Sequence, residues 1–205
     1  MRYNLPVLPQ TSFESDRYFT QDEFRTWVRA RKRDLERFEL LNGRIVMNPP
    51  SGWPQGEVGL AVGSMLRSFV KQRDLGRVFG SDQGFELPSG DTVAPDAAYV
   101  SAQRWQAGEP HEPGGFPSIV PDLVVEVLSP STATRDRGEK KAIYERNGVA
   151  EYWIVDALGR SILRFDLDES SGENRYALPQ RFEEGDRFAS SVLAGLDFDV
   201  GEILA

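Results

Sequence analysis

Three residues stand out for the chemistry they could perform together. Asp96 lies in Val93-Ala-Pro-Asp-Ala-Ala-Tyr-Val100, and Glu126 in Pro121-Asp-Leu-Val-Val-Glu-Val-Leu-Ser-Pro130. Lys140 follows in Arg135-Asp-Arg-Gly-Glu-Lys-Lys-Ala-Ile-Tyr144. A carboxylate inside an apolar strand is costly unless something pairs with it. Two such carboxylates and a nearby amine point to a divalent metal site with a charge-stabilising lysine, the chemistry of phosphodiester hydrolysis. Two oxygen ligands completed by water suit Mg²⁺ or Mn²⁺.

Spacing sharpens the choice of ligands. Residues two apart on a strand face the same way, so Asp122, Val124, Glu126 and Leu128 share a face. At the standard rise Asp122 and Glu126 stand roughly 13 Å apart and cannot hold one ion together. Asp122 reads as the solvated start of the strand. Asp96 begins another strand, and a sheet that sets the two side by side brings Asp96 to Glu126. Lys140 shares a helical face with Ile143 and Tyr144, which should pack on the sheet. Lys140 is then aimed inward with Glu126 as its counter-charge, while Lys141 is rotated towards solvent. Glu57 opens the long helix and would join the metal shell through water; a favourable helix dipole explains it equally. Glu39 is a further carboxylate candidate. Arg29-Ala-Arg-Lys-Arg33, with Arg135 and Arg137, would contact backbone phosphates, although a solvated helix end accounts for the first run.

The elements that must position these groups follow from local patterns. Residues 1–19 read as an N-terminal arm. Thr20-Gln-Asp-Glu23 is a capping box, followed by Phe24, Trp27 and Val28 on one helical face. Asn42-Gly43, between Glu36–Leu41 and Arg44–Met47, predicts a hairpin with both turn residues at positive φ. Val58, Ala61, Val62, Met65, Leu66, Phe69 and Val70 predict an amphipathic helix that ends at Asp74-Leu-Gly76. Strands are predicted over Arg77–Gly80, Phe85–Leu87 and Val93–Val100, then a short helix over Ser101–Ala107. Leu123–Leu128 has the apolar run of a strand covered on both faces. A helix from Arg137 to Asn147 ends at Gly148 as its C′ residue. Strands Glu151–Asp156 and Ser161–Phe165 come next, and small edge strands complete the chain. The order is that of an α/β fold, a mixed β-sheet flanked by helices on both faces, in one domain spanning 20–205.

The bulk of the sequence narrows the function classes. The chain has 205 residues, 40% of them hydrophobic, enough for a sizeable core. Its net charge of −8 counts against a polycation built for non-specific nucleic-acid binding. Cysteine is absent, which excludes disulfides, thiolate zinc sites and cysteine nucleophiles. The one histidine, His111, sits in a Pro/Gly-rich stretch and reads as a solvated loop residue. No apolar run is long enough to span a bilayer and the N-terminus does not resemble a signal peptide, so a cytoplasmic location is expected. P-loop, nucleophile-elbow, dinucleotide-binding and His-Glu-x-x-His motifs are all missing.

These residues also carry a resemblance. Phe38-Glu-Leu-Leu-Asn-Gly-Arg-Ile-Val46, Ala94-Pro-Asp96, Pro121-Asp-Leu-Val-Val-Glu-Val-Leu-Ser-Pro-Ser131, Asp136-Arg-Gly-Glu-Lys140 and Gly148-Val-Ala-Glu-Tyr-Trp-Ile-Val-Asp156 occur in that order. They resemble the Uma-two family, bacterial proteins described as putative restriction endonucleases and assigned to the PD-(D/E)XK nuclease superfamily. The resemblance implies a restriction-endonuclease-like fold and Mg²⁺-dependent cleavage of a nucleic acid, DNA in the first instance, by a homodimer. It assigns Asp96 and Glu126 to the two acidic positions. The lysine position of the superfamily is occupied by Leu128, and Lys140 on the next helix would supply the amine from a different backbone position. Two other readings stay open: a non-catalytic nucleic-acid-binding or assembly module on the same fold, and a metal-dependent phosphohydrolase acting on nucleotides.

Overall fold

The computed structural model describes residues 13–31, 37–48, 50–108, 113–170 and 172–204. His111, Lys32, Arg33 and the first twelve residues of the expected arm lie outside them. Among the described residues, no helix is long and apolar enough to cross a membrane.

The N-terminal part is built by local signals. Helix α1 (Gln21–Ala30) starts at the capping box: Thr20 Oγ1 accepts from the Glu23 amide, and the Glu23 carboxylate accepts from the Thr20 amide. Strands β1 (Arg37–Leu41) and β2 (Arg44–Asn48) form the hairpin, with Asn42 at φ 48° and Gly43 at φ 79°. Residues 13–19, read from sequence as an arm, run beside β2: Ser15 donates to Ile45, and Met47 donates to the Phe13 carbonyl. Helix α2 (Gln55–Gln72) buries Val58, Val62, Leu66 and Val70, one per turn. Each such side chain contributes about 2 kcal/mol when removed from water.

The strands form two main sheets where one was expected. Strands β3 (Gly76–Gly80), β6 (Ala97–Ser101), β7 (Leu123–Val127), β8 (Glu151–Asp156), β9 (Ser161–Asp168) and β10 (Arg175–Tyr176) lie in the order β10-β9-β8-β7-β6-β3. A further strand, β11 (Gln180–Glu183), also pairs with β9. Among the described residues, only β7 and β8 run parallel in this mixed sheet. The hairpin, with β4 (Phe85–Glu86) and β5 (Thr92–Val93), makes a separate four-stranded sheet.

The expected strand Val93–Val100 is therefore divided. Its first residue belongs to the small sheet and its last four to the large one. Pro95 has no N–H to give a ladder. On either side of it, side chains replace ladder bonds: the Ala94 amide donates to Glu39, and the Asp96 carboxylate accepts from the Val127 amide. The break carries the chain from one sheet to the other and leaves Asp96 between them.

The helix expected over Arg137–Asn147 begins earlier and contains a widened turn. Beyond the short helix α3 (Ala102–Ala107), helix α4 (Ala133–Arg135) runs into a π-helical turn (Asp136–Lys140) and then α5 (Lys141–Arg146). Such turns are uncommon and gather at functional sites. The Tyr152 hydroxyl donates to the Asp136 carbonyl inside this turn.

Two apolar layers sandwich the large sheet. On one face α2 packs on Leu123, Val125, Val127, Trp153 and Val155. That layer is completed by the strand pair β12 (Arg187–Ala189) and β13 (Asp197–Asp199) and by helix α6 (Gly201–Leu204). The expected C-terminal edge strands are thus partly a hairpin of their own, which sets Phe188 and Phe198 against Trp153. On the other face, Ile143 and Tyr144 pack with Val124, Leu128, Tyr152 and Ile154, and the small sheet joins through Leu41, Val46, Phe85 and Val93.

Gly76 opens β3 at φ 148°, and a Cβ there would lie 2.2 Å from the Val100 carbonyl oxygen on β6. Backbone cannot yield as a side chain would. Gly76→Ala is expected to destabilise the protein by more than about 2 kcal/mol in urea unfolding. Gly63→Ala in α2, where a Cβ meets nothing within 4 Å, is expected to stabilise it by roughly 0.5–1 kcal/mol.

Candidate active site

The β6–β7 register pairs Ala97 with Val125. One step further along the same register, Asp96 comes opposite Glu126, on the face that α5 covers. Asp96 is anchored through Oδ2, which accepts from the Val127 amide at 2.8 Å. Its Oδ1 stands 3.8 Å from Arg37 Nη1.

Glu126 interrupts an otherwise apolar strand and is buried. Its Oε1 receives both the Lys140 ammonium at 2.5 Å and the Tyr144 hydroxyl at 2.6 Å. Lys140 is 2% exposed and also meets Glu39 Oε1 at 3.0 Å. Glu39 is fully buried, and its remaining contacts are the Ala94 amide at 2.7 Å and Asn48 Nδ2 at 2.5 Å. Asp136, one turn before Lys140, is buried as well.

Four carboxyl groups thus surround one ammonium. Burial drives the Glu126 carboxyl well above the usual range against the pull of Lys140, and Asp136, Asp96 and Glu39 push it further up. Burial likewise raises Asp136 to about 6. Asp96 is raised by burial, opposed by the Val127 amide, Lys140 and Arg37. Burial alone would lower the Lys140 amine, but Glu126, Glu39 and Asp136 outweigh it and hold the group above its ordinary value. Lys140 is therefore a charged amine that offsets only part of the negative charge around it.

Asp96, Glu126, Asp136 and Lys140 line one recess of about 520 Å³, with Arg37 and Asn48 in its wall. Among the described residues, no group of three or more acidic or histidine side chains forms a complete metal cage. The donor set is instead two oxygen-bearing side chains. Asp96 spends one oxygen on a backbone amide, and Glu126 spends one on Lys140 and Tyr144. The second oxygen of Glu126 has no partner among the described residues. Mg²⁺ is commonly held by one or two carboxylates, with water and substrate oxygens completing its shell. The pair fits that pattern.

The structure thus brings Asp96, Glu126 and Lys140 together, and Glu39 with them. Glu57 stands apart: it is exposed on α2 and accepts from Trp53 Nε1 at 3.2 Å. A position in the first turn exposes its side chain instead of turning it to the sheet. Lys141 is turned away as expected, but it is half-buried beside Glu145 and over the Phe165 and Tyr176 rings. Asp122 is not merely solvated, since it accepts from the Ser101 amide and pairs with Arg104. Of the arginines expected at phosphates, Arg135 reaches Asn48, Arg137 pairs with Asp156, and Arg31 stacks on Trp27. The arginine that lines the recess is Arg37. Sequence reading missed Asp136, Tyr144 and Asn48 as parts of the site. Asp136 precedes Lys140 by four residues, and Tyr144 follows it by four, so the face that located Lys140 carries both.

Lys140→Met would leave the carboxyl groups without their cation, an expected loss of about 3–5 kcal/mol near neutral pH. The loss should shrink in urea unfolding at about pH 5, where protonation removes the repulsion. Asp136 has its folded-state value raised from 3.8 to about 6. Its contribution is full below 3.8 and is lost as the pH rises through about 6. Asp136→Asn should therefore flatten the fall in stability between those limits.

The family model of Uma2, described as "Putative restriction endonuclease", matches residues 21–201. No curated protein matches the chain. Among solved structures, the chain is similar to the crystal structure of a putative nuclease belonging to DUF820 from Anabaena variabilis. The two share 18% identity with a TM-score of 0.70, and the match covers 91% of this chain and 97% of that one. That likeness shows a shared mixed α/β fold, and the family description supports a nuclease. With the matched region spanning both sheets and every residue of the acidic recess, the chain belongs to the Uma2 family.

Proposed function

We propose that the protein is a metal-dependent nuclease that hydrolyses phosphodiester bonds in DNA. The observation that carries this reading is the meeting of Asp96, Glu126 and Lys140 in one recess, each acid anchored through one oxygen. Asp96 and Glu126 would hold Mg²⁺ or Mn²⁺. A bound ion of this kind lowers the pKa of a water and polarises a phosphoryl oxygen.

The other roles fall to the chain's own side chains. Lys140 carries three N–H donors, and Glu39 and Glu126 take two of them. The third serves the nucleophilic water or an oxygen of the phosphoryl group as charge builds on it. Tyr144 fixes the Glu126 carboxyl, and Glu39, held by Asn48 and the Ala94 amide, fixes Lys140. Arg37, beside Asp96 in the recess wall, meets a neighbouring phosphate. The lysine therefore works from a helix, where Leu128, the residue just past β7, is committed to the apolar core.

Plasmid and single-stranded DNA incubated with Mg²⁺ or Mn²⁺ test the reading. Wild type is expected to cleave, and Asp96→Ala and Glu126→Ala to lose cleavage. Lys140→Met, checked for folding, should fall by about 10²–10³-fold. Calorimetry with Mn²⁺ should give binding that either acid substitution removes. Absence of both cleavage and ion binding in wild type would leave a non-catalytic module.

A further inference from the structure

A second cavity of about 580 Å³ adjoins the recess and shares Arg37, Asn48, Gln55 and Asp96 with it. One wall is the flank of α2 that carries Gly56, Gly59 and Gly63, and the other is β3 from Val78 to Gly80. A Cβ at Gly56 or Gly63 would meet nothing within 4 Å, and one at Gly59 would only touch Val127 at 3.9 Å, so the flank is open at its two ends. A row of small residues proves nothing alone. Gln55 supplies the independent observation. Its side chain is 5% exposed, lines both cavities, and has no hydrogen-bond partner among the described residues. Its amide atoms are not sealed from the cleft, so an occupant can supply the bonds that the fold leaves unmade.

The rim indicates what that occupant is. Trp53 is 83% exposed at the mouth of the recess, and Leu158 is exposed beside it. Leu60 is exposed over the second cavity. Arg67 lies on the same groove, exposed and with no ion pair or hydrogen bond among the described residues. An exposed aromatic face, apolar neighbours and spaced cations are the equipment for an unpaired strand, whose bases can stack and whose phosphates meet arginines. A duplex hides its base faces and would leave Trp53 without a partner.

Resting on the nuclease reading above, we propose that the groove between α2 and β3 holds a single-stranded segment of nucleic acid leading from the scissile phosphate. Trp53 stacks a base at the mouth, Gln55 hydrogen-bonds the chain where the two cavities join, and Arg67 meets a phosphate further along. The glycine flank lets the backbone approach the helix closely.

The test is fluorescence anisotropy with a fluorescein-labelled single-stranded oligodeoxynucleotide in EDTA, where no ion and no turnover enter the signal. Trp53→Ala, Gln55→Ala and Gly63→Leu are each expected to weaken binding by about tenfold. Arg67→Ala should reduce the slope of log affinity against log salt by about 0.7. Gly63→Leu fills the groove without crowding the fold; it should not lower the thermal unfolding midpoint and should leave Mn²⁺ binding unchanged. Unchanged affinity in both Gln55→Ala and Gly63→Leu, or a matched duplex bound as tightly as the single strand, would overturn the proposal. Cleavage that persists in the groove variants would sink the groove and spare the nuclease. Strand binding without cleavage in wild type would do the reverse.

Discussion

One ammonium enclosed by four carboxyl groups is the constraint that the rest of the molecule serves. Charges taken out of water are tolerated only when partners arrive with good geometry. Lys140 draws its ion-pair partners from separate parts of the chain, Glu39 from the hairpin and Glu126 from the middle of the large sheet, while Asp136 in its own π turn adds negative charge nearby. The two sheets are held in register by this requirement as well as by the apolar layer between them. The passage through Ala94, Pro95 and Asp96 is where the two demands meet. Proline ends one ladder, the Ala94 amide secures Glu39, and Asp96 secures the start of the other ladder.

Much of this was legible from local pattern. The capping box, the Asn42-Gly43 turn and the long stripe of α2 each rest on interactions within a few residues, and each appeared where expected. The pairing of Lys140 with Glu126 followed from helix-face spacing alone. The break at Pro95 was not legible, because Val93–Val100 is apolar on both sides of the proline, and the bonds that replace the ladder come from Glu39 and Val127. The π turn escaped because it shifts the helical repeat by less than one residue over a single turn, and Gly138 adds no side chain to reveal it. A strand of two residues such as β5 has no period to detect, although β4 falls within the strand expected over Phe85–Leu87. Gln55 was invisible as a site residue because its significance lies in bonds that it does not make.

The acidic recess also reconciles a net charge of −8 with the polyanionic substrate proposed above. Negative charge is concentrated and buried around Lys140, where a divalent ion would offset it. Arginines 37 and 67 stand along the cleft beyond. Overall charge is a poor guide when the charges that matter are segregated by depth.

The large sheet ends at β3, whose outer edge is open among the described residues. Such an edge is a template on which a strand from a second molecule can add. This one is only five residues long, is bounded by Gly76 and Gly80, and carries Arg77 folded over the Trp105 ring. Brevity, terminal glycines and a guanidinium all discourage continuation of the sheet. The border that flanks the cleft is in this way a poor template for a further strand.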